Sequence, residues 1–363
     1  MWSCEYLPFT ERIVPSVDGR HELETSEMTS FRTTGGASRR FALAALGLIA
    51  TGSLLGTAPA LAQANYPSRP IRLVVPFPAG GGTDLIAREV SNKVATSNGW
   101  SIVIDNKPGS GGNLGVDAAA KATPDGYTLV LGQTSNLAIN PTLYAKLPYD
   151  PQKDLSPVTL VATAPLVLVV AADSPYKTLA DVIAAAKAKP ETLNYASSGS
   201  GTVAHLATEL LQKTAGVKFT HVPYKGAAQG STDLIGGQIQ MYMSSVPTLI
   251  GYIRSGKMRP IAVTSAQRTT DLPAVPTVAE SGYKGFEAVT WFCIAGPDGL
   301  PPDVVSKLNA AFNQAVQDPE VKKKLASQGA ESLGGTPEKF ATLIRDDIVR
   351  WGKVVKESGA KVD

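Results

Sequence analysis

The residue types that most often hold metals and form disulfides are scarce in this chain, which has two cysteines and three histidines in 363 residues. Cys4 and His21 fall in an N-terminal stretch that reads as removed on export, leaving Cys293, His205 and His221. A lone thiol excludes an internal disulfide, so stability has to come from packing. Neither remaining histidine stands at a metal-binding spacing from Cys, Asp or Glu, so no metal and no cofactor is expected. Charge of one sign is also lacking: 34 Lys and Arg face 31 Asp and Glu, dispersed along the chain. With no basic stripe and no interleaved aromatic residues, nucleic-acid binding is not expected. There is no Gly-x-Ser-x-Gly elbow and no Gly-Lys-Ser/Thr, so the usual esterase nucleophile and phosphate-binding lysine are both missing.

The first sixty or so residues stand apart from the rest of the chain. Ser38-Arg39-Arg40 precedes an Ala/Leu-rich apolar run over residues 41–55, and Ala60-Leu61-Ala62 offers a small-residue cleavage site. This is the pattern of a secretory signal peptide, too short and wrongly flanked for a membrane anchor. The arginine pair leaves twin-arginine and Sec export both open. Glu5, Glu11, Glu22, Glu24 and Glu27 lie upstream of Met28, unlike a basic n-region, and point to Met28 as the true start. Cleavage is expected near Ala62 or Ala64, making residues 1–62 a removed segment. The mature chain has no second long apolar span, so it is expected to be soluble and periplasmic.

From Ile71 onward, short β-branched runs alternate with amphipathic helical stretches, the signature of an α/β fold with a largely parallel sheet. Strands are expected at 71–77, 102–106, 128–132, 166–171, 193–196, 219–222, 239–243 and 259–264. Helices are expected at 83–97, 114–121, 179–189, 203–214 and 247–255. Three more, at 302–316, 319–328 and 337–358, are each entered through a proline. Residues 160–165 and 287–296 read as crossovers, which puts 66–163 plus 288–363 in one lobe and 164–287 in the other. A chain of this length is long enough for two such lobes.

Pro76-Phe77-Pro78-Ala79-Gly80-Gly81-Gly82-Thr83-Asp84 joins the first strand to a helix. Its glycines let the backbone turn and expose N–H groups, and the helix start adds unpaired donors and a partial positive charge. Taken alone, an anion cradle and an ordinary N-cap at Thr83 or Asp84 compete evenly. A second joint, Ala196-Ser197-Ser198-Gly199-Ser200-Gly201-Thr202, has the same form, and two facing joints would grip an anion from both sides. Gly199-x-Gly201-x-x-Ala204 also fits a dinucleotide fingerprint. That fingerprint needs an acidic residue about 20 positions on, and none occurs between Glu209 and Asp233. Gly109-Ser110-Gly111-Gly112-Asn113 reads as a turn before a helix.

Ser198 or Ser200 with His205 would make a hydrolase pair, although capping at the head of one helix is the simpler account. His205 divides evenly between ligand contact and local capping. His221, ending an apolar strand, reads as structural. Tyr224 either packs on a ligand or fills core, while Lys225 is by default a solvated charge. Trp291 and Phe292 lie at the second crossover, where a hinge or cleft-floor role competes with core packing, and core is the favoured reading. Ser135 and Asn136, after the third strand, are placed either to hydrogen-bond into the cleft or to cap a short helix.

In order and number, several short motifs resemble the Bug family, the extracytoplasmic receptors of tripartite tricarboxylate transporters. They are Tyr66-Pro67-x-x-Pro70-Ile71, Val75-Pro76-Phe77-x-Ala79-Gly80-Gly81, Asn106-Lys107-Pro108-Gly109-x-Gly111-Gly112, Ala138-Ile139-Asn140-Pro141, Leu147-Pro148-Tyr149-Asp150, Val222-Pro223-Tyr224-Lys225-Gly226 and Val275-Pro276-Thr277-Val278-Ala279-Glu280. The resemblance covers nearly all of the chain after the signal segment. It implies a type II periplasmic-binding-protein fold, two α/β lobes closing on a small organic acid. One carboxylate would meet Phe77, Ala79, Gly80, Gly81, Thr83 and Asp84. The other end would meet Ser197, Ser198, Gly199, Ser200 and Thr202, with Ser135, Asn136, His205, Tyr224 and Ser244 nearby. The implied partners are the membrane permease subunits of such a transporter, with the receptor a monomer and not an enzyme. Many members carry acidic residues where this chain has Gln240 and Ser244. Without a counter-charge for an amine, a di- or aromatic carboxylic acid lacking an ammonium group is expected. An exported serine hydrolase and a ligand-presenting sensor are the alternatives.

Overall fold

The computed structural model describes residues 66–362, and the signal-segment expectations lie outside that range. Ten strands form one continuous sheet in the order β2-β1-β3-β9-β4-β7-β5-β6, with β10 and β8 also paired to β4. The strands are β1 Ile71–Val75, β2 Ile102–Asn106, β3 Thr128–Gln133, β4 Leu155–Ala171, β5 Asn194–Ser197, β6 Thr220–Pro223, β7 Met241–Ser245, β8 Met258–Val263, β9 Val289–Pro297 and β10 Glu331–Ser332. The helices are α1 Gly82–Asn98, α2 Asn113–Ala120, α3 Asn140–Leu143, α4 Leu179–Ala188, α5 Val203–Ala215, α6 Ala227–Ile235, α7 Val246–Arg254, α8 Pro302–Gln317, α9 Pro319–Ser327 and α10 Pro337–Ser358.

The expectation of a largely parallel sheet holds only for the flanks. β1 pairs in parallel with β2 and β3, and β5 with β6 and β7. Between them β4 and β9 run antiparallel to each other and to their neighbours. The expected crossover at 160–165 is therefore not a loop but the middle of a 17-residue strand. β4 pairs with β9 from Leu155 to Pro165 and with β7 from Leu166. Proline has no N–H for a ladder, and the change of partner falls at Pro165. One strand thus serves two α/β halves.

Helix boundaries follow local chemistry. Gly99 and Gly216 take left-handed conformations that close α1 and α5. Thr178 and Asp181 form a capping box at α4, and Asp318 caps α9 directly before Pro319. α1 packs Ile86, Ala87, Val90 and Val94 against Ile71, Leu73 and Val75 of β1 and Leu308 and Phe312 of α8. α10 lays Phe340, Ile344, Trp351 and Val355 into a core that also holds residues of α4, α5, β3 and β9. This helix spans both halves from behind, leaving the strand ends free to form a cleft.

Candidate functional site

β1 stops at Val75, and the chain turns through Pro76–Gly81 into α1. Gly80 lies at φ 79, where a side chain would be strained. Asp84 stays outside the cleft and braces this turn from behind. It accepts from the Gly80 N–H and Arg88 Nε at 2.9 Å each and from Asn106 Nδ2 at 3.0 Å. Burial alone would raise its carboxyl, but these donors and the Arg88 charge hold it below the ordinary aspartate value. Neither Thr83 nor Asp84 is the N-cap. That position belongs to Gly81, which offers no capping side chain, so the donors at the head of α1 stay uncapped apart from the Gly82 N–H, which donates to Thr248 Oγ1. Thr83 Oγ donates instead to Gln133 Oε1 at 3.1 Å.

The second joint is also built by its glycines, Gly199 at φ 132 and Gly201 at φ 81. Thr202 caps α5, accepting from the His205 N–H and donating to the Gly199 carbonyl at 2.8 Å. Ser198 Oγ lies 3.1 Å from the Tyr242 hydroxyl and 3.4 Å from Ser244 Oγ. Burial pushes the Tyr242 hydroxyl up to about 12, so it acts as a neutral donor or acceptor.

A cavity of about 340 Å³ separates the two joints. Phe77, Ala79, Gly80, Gly81, Thr83, Ser198, Thr202 and Ser244, all expected from sequence, line it together. Leu166, Thr290 and Phe292 contribute from the change-over point of β4 and from β9, so Phe292 belongs to the cavity as well as the core. Gln133, Lys225, Ser231, Thr248 and Tyr252 also line it and were missed. Gln133 and Ser231 left the same faint signal, a polar residue at an apolar position. One ends strand β3, and the other shares the Ala227–Leu234 face of α6. Among the described residues lining the cavity, Lys225 is the only cation and no carboxylate is present.

The other expected residues lie outside the cavity wall. Ser135 and Asn136 sit in a wide helical turn that carries them behind β3, where Ser135 Oγ accepts from Gln133 Nε2 and Asn136 Oδ1 from the Gln133 N–H. Ser197 Oγ is 2.7 Å from His221 Nε2. His205 accepts the Gly201 N–H at Nδ1 and stacks on His221 at 4.2 Å, contacts of the local-capping kind. Burial lowers His205 to about 4; burial and the neighbouring His205 lower His221 to about 3. Gly199 and Ser200 shape the turn without lining the cavity, and no Ser198 or Ser200 hydroxyl bonds to His205. Tyr224 donates to Asp233 at 2.7 Å and fills core. Gln240 does not line the cavity; its Oε1 accepts the Asn194 N–H at 2.9 Å. Lys225 is exposed, as expected, yet it faces the cavity.

Two α/β halves that share crossing strands, with a cavity where strand ends and helix starts converge, define a two-lobed solute-binding protein. The chain belongs to the family described as Tripartite tricarboxylate transporter family receptor, whose model matches residues 86–360. It is similar to protein BugT of Bordetella pertussis, 40% identical over 308 residues that make up 85% of this chain and 94% of that protein. Among solved structures it is similar to an R. palustris protein with adipate, at 37% identity and TM-score 0.80, covering 82% of this chain and 100% of that one. The malate-bound MatC of Rhodopseudomonas palustris matches at 32% identity and TM-score 0.76, covering 80% and 100%. The family is one of receptors, not enzymes, and the Ser–His alternative lacks the geometry it would need.

Proposed function

We propose that this protein is a periplasmic receptor that captures a small organic carboxylate between its lobes and delivers it to the membrane permease of a tripartite tricarboxylate transporter. One observation carries this reading: the cavity joins an uncapped helix start to neutral donors and a single lysine, with no carboxylate among its described lining residues. An anion gains there, whereas an ammonium group would meet no counter-charge. The relatives solved with adipate and malate support the same ligand class.

In this reading lobe 1 comprises residues 66–163 and 288–363 and lobe 2 residues 164–287, consistent with the change of β4 partners at Pro165. The receptor acts as a monomer after cleavage near Ala62 or Ala64. The loop at Phe77–Thr83 takes one carboxylate, and Ser198, Thr202 and Ser244 face the rest of the ligand.

Thermal-shift screening of dicarboxylates, aromatic acids and amino acids, with calorimetry on the best hits, tests the reading. Stabilisation by carboxylic acids without an ammonium group is expected. Preferential binding of amino acids would defeat it.

A further inference from the structure

The third glycine-rich loop, Gly109–Asn113, contributes nothing to the cavity wall. It meets the second joint instead. A Cβ on Gly111 would lie 2.9 Å from the Ser200 carbonyl oxygen, and one on Gly201 would lie 2.7 Å from the Asn140 side-chain amide and 3.1 Å from Leu143 Cδ2. Gly111, Asn140 and Leu143 belong to lobe 1, Ser200 and Gly201 to lobe 2. Positive φ, 63 at Gly111 and 81 at Gly201, already favours glycine at both positions. The contact adds a separate demand: the lobes meet this closely only because neither residue carries a side chain.

Asn140, fully buried at the start of α3, is the polar centre of the contact. Its amide orientation follows from the hydrogen bonds around it. Tyr149 has one hydroxyl proton, which goes to the Asn136 carbonyl at 2.7 Å, so the Asn113 side-chain atom 3.0 Å from that hydroxyl is a donor. The same Asn113 atom lies 2.6 Å from the Asn140 amide, which therefore presents Oδ1 to it. Asn140 Nδ2 then donates to the Ser135 carbonyl at 3.2 Å and, across the lobes, to the Gly201 carbonyl at 3.3 Å. The reverse orientation would reach the Gly111 carbonyl at 3.4 Å but set Oδ1 against two carbonyl oxygens in a buried site.

Both partners are held in place by their own lobes. Asn113, Ser135 and Tyr149 aim the donor from within lobe 1. In lobe 2, α5 starts its ladder at Thr202, whose carbonyl accepts the Leu206 N–H at 3.2 Å, so the Gly201 carbonyl stands outside the helix. His205 Nδ1 fixes the same residue through its N–H at 3.2 Å. A bond between preorganised groups loses little entropy when it forms.

We propose that Asn140 is a positioning residue for ligand capture: its Nδ2 latches the Gly201 carbonyl when the lobes close, and Gly111 is the seat on which the second joint lands. The inference rests on the two-lobed receptor reading and adds a fastening that touches no ligand, since Asn140 lies outside the cavity wall. With the bond from the Gly82 N–H to Thr248 Oγ1, it ties the lobes at two points. A latch of this kind raises affinity for every ligand that the closed cavity accepts by one common factor, and leaves the choice among ligands to the cavity.

Calorimetry of the full mature protein, Asn140→Ala, Gly111→Asn and the double variant with malate, adipate and benzoate tests the latch, with small-angle scattering in saturating acid. Each single variant is expected to weaken every acid that binds the parent by the same factor, about fivefold, and to scatter as a more open molecule. The double variant should bind no more weakly than the weaker single one, because a joint that cannot seat leaves Asn140 nothing to hold. Asn140→Ala also removes bonds inside lobe 1; should it fail to fold, Gly111→Asn carries the test alone, since it deletes no hydrogen bond and asparagine tolerates positive φ. Unchanged affinity in the variants would overturn the proposal, as would additive losses in the double variant. A loss that differs from acid to acid would also overturn it, by placing Asn140 against the ligand. These results leave the receptor reading standing, whereas failure of the parent to bind any carboxylic acid would overturn both.

Discussion

The Gly82 N–H donates to Thr248 Oγ1 at 3.2 Å, linking the first residue of α1 to α7 across the cleft. A Cβ on Gly82 would lie 2.8 Å from that same oxygen and 3.1 Å from Ser245 Oγ. Lobe contact at this point therefore requires glycine for space, not for an unusual φ. Gly82→Val should hold the lobes apart and weaken carboxylate binding by about tenfold or more, since overpacking costs roughly 1–3 kcal/mol. Thr248→Ala should restore part of the affinity of Gly82→Ala. Calorimetry with small-angle scattering in saturating ligand checks both, and parent-like compaction of Gly82→Val would refute the assignment. At neighbouring Gly81 a Cβ meets only the Pro78 carbonyl at 3.6 Å, so a side chain there acts only by filling cavity volume.

Asp84 organises the Pro76–Gly81 turn at the cavity wall, although it does not itself line the cavity. Asp84→Asn exchanges an acceptor of three hydrogen bonds for an amide whose NH2 must face either the Gly80 N–H and Arg88 Nε or Asn106 Nδ2, and it removes the charge paired with Arg88. A loss of about 1–2 kcal/mol is expected, less than for a fully buried pair because Arg88 is half exposed. Its folded-state value is depressed, so its contribution is present above the ordinary aspartate value and fades as pH falls through the folded one. Urea denaturation at pH 7 measures the loss. An unchanged midpoint together with unchanged ligand affinity would show that the brace is dispensable.

Most helices and strands are legible in the sequence because local signals agree. Proline opens α8, α9 and α10, glycine closes α1 and α5, and β-branched runs fill the strands. The central pairing is not legible. β4 and β9 turn antiparallel because they return the chain between halves, and no residue pattern within Leu155–Ala171 encodes which neighbour lies beside it. The two glycine-rich joints are visible as tight strand-to-helix turns because backbone geometry is written in glycine spacing. Side-chain direction is less visible: Ser135 and Asn136 follow the right strand, but a helical turn carries them behind Gln133. His205 and Ser197 lie one layer too deep, engaged by Gly201 and His221. Lys225 looks like any surface lysine, since only the fold brings α6 to face α1.

His205 and His221 are the only histidines beyond residue 21, which gives this protein a clean pH window. Both fold with depressed values, about 4 and about 3 against the ordinary 6.5. Below pH 6.5 the unfolded chain takes up imidazole protons that the folded chain refuses, so stability should fall as pH drops from 6.5 towards 4. The slope approaches about 1.4 kcal/mol per pH unit for each imidazole. Glu209 acts with the opposite sign: burial raises it, and its protonation favours the folded state as pH falls. It hydrogen-bonds Tyr195, whose ring stacks on His221. Urea midpoints between pH 7 and 4 should flatten in the His205→Asn, His221→Asn double variant. A slope that survives both changes would exclude the stacked pair as its source.

Ser244 closes the cavity wall where a carboxylate would reverse its selectivity. It is almost fully buried, and its Oγ lies 3.4 Å from Ser198 Oγ. Ser244→Asp would place a negative charge beside the bound acid in a partly dehydrated site, where like charges repel far more strongly than in water. Affinity for carboxylic acids should fall by about a hundredfold, while a ligand carrying an ammonium group gains the counter-charge that the parent cavity lacks. Calorimetry of parent and variant against an acid and its α-amino counterpart, succinate and aspartate, reads the exchange directly. If the variant keeps the parent's preference for the acid, then selectivity against amines is set elsewhere in the cavity and Ser244 does no more than pack against Ser198.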